Sequence, residues 1–85
     1  MNKYSLEFLA WCNRCLFRLD FERELKEMGV PFHVCYAFSS SEIWMKHSCV
    51  LGLYQNFMHH EECLDALEKW IEMMQVKWDE IQAGK

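Results

Sequence analysis

From Val50 to Ile81 apolar residues recur in alternating steps of three and four: Val50, Leu53, Phe57, Leu64, Leu67, Ile71, Met74, Trp78 and Ile81, with His60 on the same ladder. At 100° per residue this spacing keeps one side of an α-helix apolar, and that side must be hidden against other helices. Between Ile43 and Ile81 there is no proline and a single glycine, Gly52. The ladder could therefore be one rod of about 40 residues, on the order of 60 Å long, or two helices parted near Asn56–His60. The parted form is expected, because a shorter first helix could cover only part of a rod. His60 then marks the point where the two helices separate, in preference to a metal ligand or a pH-sensitive registry residue. Beside the ladder runs a second stripe, Cys63, Ala66, Trp70 and Met73. A face that wide suits a helical bundle better than a two-stranded coiled coil.

Upstream, Phe8, Leu9, Cys12, Cys15, Leu16, Leu19 and Leu25 recur at helical spacing and predict a first helix over about 4–28. Its stop is written in Gly29, which suits the left-handed residue of a Schellman motif, with Val30 placed to touch Leu25 and Pro31 forbidding continuation. Phe-His-Val-Cys-Tyr-Ala-Phe at 32–38 is rich in aromatic and β-branched residues, so residues 30–38 are expected to be extended. Ser39 with Glu42 reads as a capping box, and Phe38 with Ile43 as a hydrophobic staple. The second helix is thus expected over about 40–57 and the third over about 59–82. The expectation is one all-α domain over 1–85, a small three-helix fold with an extended connector, associating as a helical-bundle oligomer.

A single domain of 85 residues hides a modest share of its surface, yet 52% of this chain is hydrophobic, with four Trp, six Phe and six Met. The surplus points to self-association as a homodimer or to a protein partner. Phe57, Leu64, Leu67, Trp70, Ile71, Met74, Trp78 and Ile81 are the expected interface.

The formal charge of −4 and the scatter of the nine Lys and Arg residues argue against nucleic acid, which needs clustered cations. Several of those cations have a carboxylate one helical turn away, as Lys26 has Glu22 and Lys69 has Asp65. Acidic residues gather in the last third, where they keep the surface solvated or meet a basic partner. No apolar run reaches the roughly 18 to 20 residues that cross a bilayer, and no membrane association is expected. Five cysteines, an odd number, with no secretory signal at the N-terminus, predict reduced thiols in the cytoplasm.

Those cysteines, with His33, His47, His59 and His60, raise one chemical alternative, a small zinc-binding domain. Cys12 with Cys15, and His59 with Cys63, each share one helical face, so two packed helices could offer four ligands to a zinc ion. Against this, Cys-x-x-Cys zinc pairs normally sit on turns, and buried free cysteine behaves as a small hydrophobe. No glycine loop, nucleophile elbow or paired carboxylate suggests an enzyme. The expected function is non-catalytic protein binding without a cofactor, in the manner of small phage- or plasmid-encoded accessory or inhibitor proteins that dock on a larger machine, or else a structural homodimer subunit.

Overall fold

A computed structural model describes residues 3–85. They form six α-helices and no strand: α1 Leu6–Cys15, α2 Arg18–Glu27, α3 Phe32–Ala37, α4 Ser41–Lys46, α5 Val50–Asn56 and α6 Glu61–Ala83. The helical class agrees with the sequence, but two of the three expected helices are broken and the connector is itself a helix.

The helix expected over 4–28 starts where Ser5 caps it, the hydroxyl accepting the Phe8 N–H at 3.1 Å. It breaks at Leu16 and Phe17, whose backbones leave the helical region with φ/ψ of −85/84° and −106/132°. The cause lies in the apolar spacing. Phe8, Leu9, Cys12 and Leu16 are buried, and so are Phe21 and Leu25, but the step from Leu16 to Phe21 is five residues. In an unbroken helix that step swings Phe21 about 140° away from Leu16. Two non-helical residues restore the phase, and Leu19, expected in the core, is left 71% exposed while Phe21 takes its place. The end of α2 is as the sequence indicates. Gly29 has φ 82°, Val30 donates to the Leu25 carbonyl and Gly29 to that of Lys26, which is the Schellman pattern.

Residues 32–37 are helical, which corrects the expectation of an extended 30–38. A lone strand has no edge to pair with and would leave its backbone groups without partners, whereas a helix satisfies them internally. Pro31 is well placed for this start, its carbonyl accepting the N–H groups of Val34 and Cys35 at 3.0 and 3.1 Å. The face carrying Val34, Cys35 and Phe38 goes inward. The expected capping box does not form: the Ser39 hydroxyl donates to the Tyr36 carbonyl at 2.6 Å, and α4 begins one residue later, after Ser40. The Trp44 indole N–H reaches back to the Phe38 carbonyl and ties α4 to the end of α3.

The helix expected over 40–57 is interrupted at His47–Cys49. Gly52 shows why that turn is tolerated, since a Cβ there would sit 3.1 Å from the His47 Cα and 3.2 Å from the Cys49 sulfur. The start of α5 is secured from a distance, the Asn13 side chain of α1 accepting the Val50 N–H at 2.8 Å. The parting expected near Asn56–His60 is present, and His60 occupies the cap position of α6.

The 23 residues of α6 make a rod of about 35 Å, nearly the 38 Å long dimension of the molecule. Helices α1, α2 and α3 all pack on it, and α5 packs on α1. Both of its apolar stripes are used in this way. Cys63, Ala66, Leu67, Trp70, Ile71 and Met74 are buried, with Trp70 meeting Phe21 edge-on at 5.2 Å. A chain of rings continues from Phe21 to Phe38 and on to Phe57, while Phe8 and Trp11 close around Trp78 at the other end. No helix of the described residues is long and apolar enough to cross a membrane.

Candidate functional site

Of the eight expected interface residues, Phe57, Leu67, Trp70, Ile71 and Met74 lie in the chain's own core. They cannot also form the surface that meets a partner in this conformation. Leu64 and Trp78 are half-buried, and only Ile81 is exposed, at 43%. Helices α1, α2 and α3 lie against most of the ladder, which is the physical reason five of the eight residues are buried within the chain itself.

The four residues considered for zinc are not brought together. Trp11, next to Cys12, packs on Trp78 with ring centroids 5.3 Å apart, and Cys63 lies fifteen residues before Trp78, about 22 Å along the axis of α6. His59 is exposed beyond the start of that helix. Among the described residues no three His, Cys, Asp or Glu side chains converge in a metal-binding arrangement. All five cysteines are free, and Cys12, Cys35 and Cys63 are buried. Burial, and secondarily the neighbouring Cys15, pushes the Cys12 thiol up to about 12. Burial also raises Cys15, with Glu24 adding and Arg14 and Lys77 opposing, and burial with Glu62 raises Cys63. Burial thus disfavours the thiolate form of Cys12, Cys15 and Cys63, the form that attacks electrophiles.

A concavity lies between α3 and the first turn of α6. It is a cleft of about 360 Å³, with Val34, Ala37 and Cys63 as its apolar lining and His33, His60, Glu61 and Glu62 as its polar one. His33 and Glu62 bridge it, Nε2 to Oε2 at 2.8 Å, on two well-exposed side chains. Glu61 and Glu62 sit in the first turn of α6, where the partial positive charge of the helix end favours carboxylates. No Lys or Arg lines this cleft. On the other flank of α3 a second cleft of about 220 Å³ adds Asp65 and Lys69 to Glu62.

Around α3 the residues next to the cleft-lining stripe of His33 and Ala37 are Phe32 and Tyr36, four apart and therefore on one face. They are 74% and 70% exposed, and their rings lie 6.2 Å apart. The sequence could have revealed this pair only with 32–37 read as a helix; as a strand, its aromatic content points to pairing with another strand. Neither Glu22–Lys26 nor Asp65–Lys69 is an ion pair among the described residues. The pairs formed are Asp20–Arg23, Arg23–Glu27, Glu42–Lys46, His33–Glu62 and Glu24–Lys77. Glu61 and Asp65 thus keep carboxylates that no cation of the described chain neutralises within ion-pair distance.

Compared with protein families, curated proteins and solved structures, the chain matches none.

Proposed function

We propose that this chain is a non-catalytic protein-binding module that docks on a larger protein as an accessory or inhibitor. One observation carries the reading: the outer face of α3 holds two large aromatic side chains side by side in solvent, although the chain has filled a core of its own. Single exposed apolar residues are ordinary, but adjoining aromatic rings beside a concavity are what protein interfaces use as anchors. The protonated state of Cys12, Cys15 and Cys63 speaks for thiols that pack and against thiols that react.

The test is reconstitution. Proteins retained from a cognate lysate by the immobilised chain are identified, purified and titrated against it by calorimetry. A saturable complex of fixed stoichiometry is the expected result. No saturable partner, with the chain sedimenting as a monomer, overturns the reading; self-association that deepens with concentration replaces it with the homodimer.

A further inference from the structure

We infer that the α3–α6 cleft and its aromatic shoulder form the docking site, and that the occupant is a basic segment of a partner protein presenting an Arg or Lys beside an aliphatic side chain. This rests on the protein-binding reading above and assigns it a place and a chemistry.

The argument begins with charge. Glu61 and Glu62 line the cleft and Asp65 stands one turn further along α6, while the only fixed cation lining either flank of α3 is Lys69. The α6 N-terminus offsets roughly half an elementary charge, so the rim stays negative even beside it. The Glu62 carboxylate already accepts from His33 Nε2, which leaves Glu61 and Asp65 as the carboxylates open to an incoming cation. An anion would be repelled, and a neutral apolar segment would strand these carboxylates without compensation.

Shape and polarity narrow the occupant further. The apolar lining of Val34, Ala37 and Cys63 offers room for an aliphatic side chain and gains nothing from a bare cation. Phe32 and Tyr36 stand together on the neighbouring stripe of α3, their rings 6.2 Å apart and exposed, and offer aromatic surface on which a guanidinium stacks. A cleft of about 360 Å³ is near the lower end of small-molecule sites, the size for one or two side chains anchored from an extended or helical segment. The third cleft, about 220 Å³ at Glu42, Ile43, Lys46, His47 and Asn56, lacks this coincidence of aromatic shelf, apolar lining and unneutralised carboxylates, since its Glu42 is already paired with Lys46.

The experiment uses the full chain, labelled with ¹⁵N, titrated with three probes: a twelve-residue peptide alternating Arg with Leu, the same peptide with Glu for Arg, and spermidine. The Arg–Leu peptide is expected to shift amide resonances of 32–37 and 60–66 in a saturable manner and the Glu–Leu peptide to shift none. Replacing Glu61 and Asp65 together by Gln and Asn is expected to weaken the Arg–Leu peptide at least tenfold, and Tyr36→Ala at least fivefold, with helicity by circular dichroism unchanged because all three side chains are exposed. Glu80→Gln, at the far end of α6, is expected to leave binding as it was. Shifts centred elsewhere, equal binding of the Glu–Leu peptide, or spermidine binding as tightly as the peptide each overturn the proposal. If the partner found by reconstitution binds the Glu61/Asp65 double variant and Tyr36→Ala undiminished, the protein-binding function survives and this site for it falls.

Discussion

Cys12 shows at the scale of one residue how burial decides chemistry. Its thiol is buried in the core and is pushed up to about 12, against an ordinary value of 9.0. The folded chain therefore holds this proton where the unfolded chain releases it. Stability from the neutral thiol is complete below about pH 9 and is lost as pH rises from there toward about 12, with Cys15 and Cys63 acting in the same direction. Urea midpoints measured from pH 7 to 10.5 are expected to fall, and Cys12→Ala should flatten that slope even though it lowers the midpoint at pH 7. A slope unaltered by the substitution would assign the alkaline loss to other groups. The register shift at Leu16–Phe17 is also testable one side chain at a time. Phe21→Ala should cost about 3–5 kcal/mol, the range for deleting a buried Phe, and Leu19→Ala no more than about 0.5 kcal/mol. Chemical denaturation gives both values, and the reverse order would mean the helix runs unbroken.

Among the elements, those whose ends are marked by backbone chemistry are legible in the sequence. Gly29, Val30 and Pro31 announce the stop after α2, and the structure forms it at those residues. Gly29→Ala places a Cβ on a residue at φ 82°, with open space around it, so the cost is conformational only: about 1–2 kcal/mol by thermal unfolding. The stripes of α6 are legible because its 23 residues repeat the pattern over about six turns. Helices α3 and α4, six residues each, span less than two turns, too few for periodicity to outweigh composition. The break between α4 and α5 is hidden for another reason. It depends on Asn13, 37 residues away, whose side chain supplies an acceptor for the Val50 N–H. Asn13→Leu should cost about 1–3 kcal/mol by leaving that N–H without its partner, and hydrogen exchange should quicken more at Val50 than at a core amide of α6 such as that of Ile71.

At the scale of the whole molecule, the two apolar stripes of α6 that suggest assembly are largely covered by the helices laid across it. Trp70→Ala is therefore expected to destabilise the isolated chain by about 3–5 kcal/mol, not to act on an interface alone. Circular dichroism at two concentrations about a hundredfold apart should give the same loss for the variant; a loss confined to the higher concentration would return Trp70 to an interface. The candidate site is only partly visible in the sequence. His33 stands out there as a possible metal donor and the acidity of residues 61–65 as a face for a basic partner, but joining them requires α3 to be a helix leaning on α6.

That dependence on α6 also orders events in time. Translation delivers α1 to α5 before the rod on which α1, α2 and α3 rest, so a nascent chain ending at His60 has apolar faces and no scaffold to lay them on. Its native structure must wait for residues 61–85 to leave the ribosome, and until then those apolar faces stay exposed and prone to aggregate.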